Sequence, residues 1–408
     1  MSLLPVADAL AKILAAIPGP VESESIPIAQ AAGRTLAADI TASRTQPPFP
    51  ASAMDGYAVR AADVASVPAT LRLVGTSAAG HGYSQTIGPG EAVRIFTGAP
   101  VPEGADAILI QENADADGHT VTAREPVAAG RFLRRAGLDF SEGATLLQAG
   151  ETLDARRLAL ASAAGHAVLP LRRRPRVAVI ATGDELVRPG ETPAWDQIVA
   201  SNGLALSALA TEAGAEAIDL GIVADDLGSL RDAITRARAA KADLVVTLGG
   251  ASVGDHDLVQ AALREEGLEL GFWRVALRPG KPLMFGRLGA MTVIGLPGNP
   301  VSSIVCGLLF VVPAIRALLG DPRAGEDRSE PALLGRDMPE NDQRQDYLRA
   351  RLDTAPDRLP VAHPETRQDS SMLSVLGSSE ALLVRAPHAP AAKAGDPCRI
   401  IRLDRRIV

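Results

Sequence analysis

Two runs of apolar residues, 176–181 (RVAVIA) and 243–248 (DLVVTL), are almost unbroken, and each stops at a glycine-containing turn. Short apolar runs bounded by turns predict strands buried on both faces, the signature of a parallel sheet. Between them, 217–223 predicts another strand, and Leu227, Leu230, Ile234 and Ala237 fall at helical spacing. Ser201 or Asn202 can cap a helix that ends at Gly214. A later strand, 291–296, runs into Pro297 and then an apolar helix over 301–319. Alternating strand and helix predict a central, mostly parallel α/β domain over 176–327.

The flanks have a different texture. Residues 45–140 open on QPPFP and continue as short β-like runs at 71–74, 92–96, 107–110 and 120–123, which predicts a β-rich inserted domain. Residues 1–44 read as a helix, a break at Pro18, Gly19 and Pro20, and then extended chain. Residues 141–175 return to a helix near 154–163 closed by Gly165, so 1–44 and 141–175 together predict a connecting domain, with the first helix free to pack on the α/β domain. The triplet Arg172, Arg173, Arg174 before Pro175 reads as a solvated linker. Runs at 347–352, 381–384 and 399–403 predict a second β-domain over 328–408. The fold class is therefore α/β and multidomain, with β-rich accessory domains.

Composition narrows the function. The chain has 408 residues, 47% of them apolar and only 3% aromatic, so its cores must rest on Ala, Val, Leu and Ile. A net charge of −7 speaks against bulk nucleic-acid binding, which draws on a basic surface. Cys306 and Cys398 are the only cysteines, which suits a reduced, cytoplasmic protein and not a disulfide scaffold. The amino-terminal stretch carries Asp8 and Lys12 within its apolar part and reads as an amphipathic helix, not a signal peptide. The apolar stretch 301–315 is short for a membrane span and contains Pro313, so no membrane role is expected.

Ligands of open α/β sheets bind beyond the carboxyl ends of the strands. Four predicted strand ends carry glycine or acid there: Gly183, Asp184 and Glu185; Asp225 and Asp226; the loop GGASVGDHD from Gly249 to Asp257; and Pro297, Gly298, Asn299, Pro300 and Ser302. The glycine loop suits an anion, because bare backbone N–H groups can approach phosphate. A plain strand-to-helix turn would explain the same glycines. Glu185, Asp225, Asp226, Asp255 and Asp257 would repel phosphate unless a hard divalent cation bridged them. One of Asp225 and Asp226 also suits a helix cap before Leu227. His256 reads as a loop residue. In RPGKP, two prolines and a glycine hold Arg278 and Lys281 in a stiff turn that suits an oxyanion, or equally a solvated surface turn. PPFPASAMDGYA delivers Asp55 on a proline-stiffened approach, and Thr97 follows in the turn TGAP.

The segments PPFPASAMDGYA, RIFTGAPVPEGADAILIQE, ATGDEL, GIVADD, GGASVGDHD, RPGKPLMFG and LPGNPVSS occur here in one order. Together they closely resemble the molybdopterin molybdenumtransferases of molybdenum-cofactor synthesis, whose eukaryotic relatives include the E domain of gephyrin. The likeness runs from near residue 5 to near residue 405. It implies a four-domain homodimer whose α/β domain is similar to stand-alone molybdopterin adenylyltransferases. The implied reaction takes adenylylated molybdopterin and molybdate, inserts molybdenum and releases AMP with the help of Mg²⁺. The implied cleft lies between the α/β domain of one subunit and the Asp55 segment of the other. Transient contact with the adenylyltransferase and with molybdoenzyme acceptors would follow. An alternative function is molybdopterin adenylyltransferase itself, against which the additional domains argue.

Carried over by motif, the resemblance implies catalytic roles for Asp55, Asp139, Glu185, Asp226 and Asp257, the last three also at the metal. Thr97, Gly249, Gly250, Ser252, Gly254, Pro297 and Pro300 would line the nucleotide-capped pterin. Arg278, Lys281, Ser302, Arg344 and Ser371 would hold molybdate. The chain departs from the family pattern at Leu248, where Ser or Thr is common, at Ala251, where Val is common, and at Arg278, where Lys is common.

Overall fold

The computed structural model describes residues 3–249 and 258–403. Its central sheet has six strands in the order Glu216–Val223, Arg176–Thr182, Leu244–Leu248, Met291–Leu296, Pro282–Leu288, Glu269–Arg274. The first four are parallel, and Pro282–Leu288 pairs antiparallel with both Met291–Leu296 and Glu269–Arg274, so the sheet is mixed at one edge. That antiparallel pair was not expected from the sequence. Alternation along Arg176–Thr182 explains why the strand is apolar throughout: Val177 and Val179 face one core, Ala178 and Ile180 the other. Both faces are covered, as parallel sheets require.

Helix Asn202–Glu212 and the long helical run Pro300–Leu318 cover one face, and helices Leu227–Ala239 and Leu258–Glu265 pack on the other. The long run is 19 residues, enough by length and composition to cross a membrane, which corrects the shorter expectation. Its most apolar window is 72% buried inside the protein, so its apolarity belongs to the core. The run passes Pro313 by widening to a π-helical turn at Gly307–Val311. Proline lacks the N–H that an α-helical ladder would use there.

The first helix, Val6–Ala15, puts Val6, Ala9 and Ile13 into the core shared with Val305 and Ile315 of the α/β unit. Strand Ser23–Pro27 pairs antiparallel with Val168–Arg172, and Ile40–Thr41 with Thr145–Leu147. Leu36, Ile40, Leu153, Leu169 and Leu171 form a separate core between these segments. Arg172 and Arg173 are not a solvated linker. Arg172 donates to the carbonyl of Val21 at 2.9 Å, and Arg173 holds Asp243 at 2.7 and 2.8 Å. The arginines occur beside distant partners that local sequence does not show.

The inserted region is a six-stranded sheet in the order Ala107–Ile110, Gly56–Val59, Glu91–Ile95, Ala69–Ser77, Thr120–Ala123, Ala114–Ala116. In the carboxyl-terminal region, Gln345–Asp353 pairs with both Val361–Pro364 and Ala381–Arg385. Pairings through Glu330–Leu334 and Pro397–Arg402 complete the ring, which closes the sheet on itself as a barrel. Leu277–Arg278 adds in parallel to Gln345 and Asp346 and ties this barrel to the central unit.

Candidate active site

A cleft of about 670 Å³ opens at the carboxyl ends of the four parallel strands. Thr182, Gly183 and Glu185 line it after the first strand, Asp225 after the second, Gly249 after the third, and Pro297, Gly298, Asn299 and Pro300 after the fourth. The topology brings these loops together because parallel strands all end on one side. Glycine is required at two of them. Gly183 has φ +145°, and a Cβ there would lie 2.4 Å from the Glu185 carboxylate. Gly249 has φ +93°, and its Cβ would lie 2.7 Å from the Thr182 carbonyl oxygen.

Two neighbouring acids have separate jobs. Asp226 caps helix Leu227–Ala239, accepting from the Ser229 N–H at 2.9 Å and its hydroxyl at 2.6 Å. The Ser229 bonds hold its carboxyl below the usual aspartate range. Asp225 lines the cleft instead, and its N–H donates to Asp184 at 3.2 Å. Partial desolvation, then the charges of Asp184 and Glu185, push its carboxyl upward. Of the two acids, Asp225 lines the cleft, while Asp226, expected at the metal, is engaged in the helix cap. The signal in the sequence was the serine at the third helical position, since it makes Asp226 the better cap.

The opposite wall comes from the carboxyl-terminal region. The Val301 N–H donates to the Ser370 carbonyl at 3.0 Å, and Asn299 Nδ2 donates to Ser370 Oγ at 2.9 Å. This contact brings Ser371 and Leu373 to the cleft. Ser371 is turned inward on itself: its N–H and hydroxyl both donate to Asp369, at 2.8 and 2.6 Å. Asn202 does not act as a cap by side chain, and Ser201 makes no capping bond. Asn202 Nδ2 donates to the Gly298 carbonyl at 2.7 Å and fixes the Pro297–Pro300 turn.

The expected molybdate residues separate. Arg278 donates from Nε to Asp346 at 2.8 Å, from Nη2 to the same carboxylate, and from Nη1 to Asp342 at 3.4 Å. It faces a smaller cavity of about 240 Å³ with Arg336, Asn341 and Arg385, not the cleft. Arg344 donates to Asp342 at 2.8 Å. Both cations are thus already neutralised, Arg344 by an acid two residues before it and Arg278 by acids that only the tertiary fold brings near. Ser302 is buried in the helix starting at Pro300. Lys281 is exposed, its ammonium makes no hydrogen bond or ion pair among the described residues, and it precedes Pro282 of the cleft wall. One cation escaped the sequence reading. Arg349 is 1% exposed; its Nη2 donates to the Asp369 carbonyl at 2.9 Å, and its Nε has no hydrogen-bond partner among the described residues. It lies in RARLD, where nothing local marks it as different from any strand arginine.

Asp55 and Thr97 stand apart from this cleft. Thr97 donates from its N–H at 2.7 Å and its hydroxyl at 2.8 Å, both to Asp55 Oδ1. Those bonds, and more weakly the charge of Arg94, hold the Asp55 carboxyl below its usual range. Oδ2 keeps no hydrogen-bond partner among the described residues. Asp139 is exposed beside the Gln46 carbonyl, to which its N–H donates at 3.1 Å, and it lines neither site. Gly250, Ser252, Gly254, His256 and Asp257 lie outside the described residues.

Comparison with known proteins accounts for every one of these regions. Residues 4–165 match the MoeA N-terminal region (domain I and II), 178–317 the "Probable molybdopterin binding domain", and 331–403 the MoeA C-terminal region (domain IV). The molybdopterin molybdenumtransferase of Haemophilus influenzae is 38% identical over 320 residues, 78% of each chain. The chain belongs to the molybdopterin molybdenumtransferase family. It is a transferase of molybdenum-cofactor biosynthesis. The molybdopterin molybdenumtransferase of Bacillus subtilis is 33% identical over 371 residues, 89% of this chain and 86% of its own. The solved molybdopterin biosynthesis MoeA protein of Pyrococcus horikosii matches with a TM-score of 0.83 at 30% identity, covering 98% of this chain and 99% of its own. The likeness in fold thus covers nearly the whole chain.

The donor chemistry of the cleft fits a hard cation. Glu185 and Asp225 contribute carboxylate oxygens, and Asp225 is raised by partial burial and then by the like charges beside it. No three metal-binding side chains converge among the described residues. Mg²⁺ needs only one or two carboxylates when phosphate oxygens and waters complete its shell.

Proposed function

We propose that the chain takes adenylylated molybdopterin and molybdate, transfers molybdenum to the dithiolene of the pterin, and releases AMP. The observation that carries this reading is the meeting of Glu185, Asp225, Gly249 and the Pro297–Pro300 turn in one cleft at the carboxyl rim. The Gly249 turn and the proline turn bound the phosphate end. Glu185 and Asp225 would hold Mg²⁺, which supplies positive charge to phosphate oxygens as AMP leaves. Lys281 supplies an unneutralised ammonium at the cleft edge for the molybdate dianion, and buried Arg349 holds the backbone ahead of Ser371.

The working unit is a homodimer in which the Asp55 segment of one subunit completes the cleft of the other. Two features support this. Asp55 offers a free carboxylate oxygen outside its own subunit's cleft. Around it Phe49, Met54 and Phe96 are exposed, and at the cleft Ile198 and Val199 are exposed as well. Large apolar side chains left in water on both half-sites suit mutual burial.

The test supplies purified protein with adenylylated molybdopterin, Mg²⁺ and graded molybdate. AMP release that saturates with molybdate is expected, together with a dimer in sedimentation; AMP release indifferent to molybdate overturns the reading. Lys281→Ala should raise the molybdate KM by about tenfold with kcat nearly kept, the scale of one lost charge-assisted contact.

A further inference from the structure

Asp55 is held by more than Thr97. Its carbonyl oxygen accepts the Gln111 N–H at 3.2 Å. Arg94, on the neighbouring strand Glu91–Ile95, donates from Nη1 to the Gly56 carbonyl at 3.1 Å and from Nη2 to Gln111 Oε1 at 2.8 Å. Its guanidinium carbon sits 5.0 Å from the ring centre of Tyr57 and 5.0 Å from that of Phe96. One planar cation therefore touches the residue after Asp55, the residue after that, the residue before Thr97, and the side chain whose backbone holds Asp55.

We propose that Arg94 is a positioning residue for the reaction: it locks the Asp55–Tyr57 turn to the Phe96–Thr97 turn, so that Asp55 Oδ1 is anchored and Oδ2 is aimed at the partner cleft. This rests on the reading that Asp55 acts in that cleft. The reasons are geometric. The Gly56 and Gln111 bonds fix the turn on either side of Asp55, and a guanidinium between two rings loses little further freedom. Phe96 is 38% exposed, so packing alone does not hold the Thr97 turn. Lysine keeps the charge but cannot form the fork that spans Gly56 and Gln111.

The experiment compares Asp55→Asn, Arg94→Gln, Arg94→Lys and Phe96→Leu in the dimeric full-length protein. Arg94→Gln should lower kcat by between about 10- and 100-fold, the scale of a misplaced reacting group, with the molybdate KM unchanged. It should also move the acidic limb of the kcat profile to higher pH, because Asp55 loses a nearby positive charge. Arg94→Lys should restore that limb but only part of kcat. Phe96→Leu, which leaves the strand intact, should give a smaller kcat loss and serves if Arg94→Gln does not fold. Normal kcat in both Arg94→Gln and Phe96→Leu beside an inactive Asp55→Asn overturns the positioning role alone. An active Asp55→Asn overturns the reading beneath it. A loss in Arg94→Gln that follows only the melting temperature, with the limb unmoved, assigns Arg94 to folding and also overturns the proposal.

Discussion

At the amino ends of the central strands, Asp243 accepts two bonds from Arg173 and a third from the Arg176 N–H at 2.7 Å, while Arg176 and Arg238 reach Glu216 and Glu266. At the carboxyl ends of the same strands, Asp184, Glu185 and Asp225 sit together with no cation bonded to them among the described residues, and burial followed by the charges of the other two pushes Asp225 upward. One rim satisfies its charges internally and the other leaves them for something to arrive. The difference separates a rim whose charges hold the fold together from a rim that leaves acids lining the cleft. It also explains why Arg173, prominent in the sequence, has no place in the cleft.

The sharpest way to break this comparison is Asp225→Asn. Turnover should fall on the order of 10²-fold or more, since one of the two carboxylates that would hold Mg²⁺ opposite the reacting phosphates is lost. The melting temperature should hold or rise, because a repelling charge has gone. A large fall in stability with normal turnover would reverse the roles of the two rims. Arg173→Ala should do the opposite. Asp243 would be left partly buried without its cation, costing about 2–3 kcal/mol after allowance for solvent screening. Denaturation should register that loss, with kcat of the folded fraction unchanged.

Asp226→Ala should cost about 1 kcal/mol as a lost helix cap, and Asp226→Asn only a few tenths, both with near-normal turnover. Turnover lost in Asp226→Asn would return that residue to the site. The smallest effect is in pH. The native Asp225 carboxyl binds its proton more tightly than the unfolded one, so its ionisation lowers stability. That contribution should recover as pH falls from neutral through its raised value towards about 4. The melting curve of Asp225→Asn, measured across the same range, should lack this component.

Much of this was legible along the chain. Strand 176–182, the helix from Leu227 and the acidic or glycine-rich rim follow from local rules: period, caps and turns. Asp225 and Asp226 were both marked, but their separation was not. A cap and a ligand differ only in which way the carboxylate turns after the strand ends. Arg278 shows the opposite limit. The prolines and glycine of its turn are visible in the sequence, yet its partner Asp346 lies 68 residues on and reaches it through a strand pairing that no local pattern specifies. Arg349 was invisible for the same reason, because burial of a guanidinium is a property of the closed barrel.

The amino-acid order alone determined which segments become buried parallel strands, where their glycine and acid ends fall, and which motifs mark the family. These depend on neighbours a few residues apart. Only the tertiary structure decided which charges are neutralised, which acid faces the cleft, and that Asp55 stands apart from the cleft of this chain. Those outcomes depend on electrostatic and packing contacts between segments tens to hundreds of residues apart, where the chain must first fold before the partners exist.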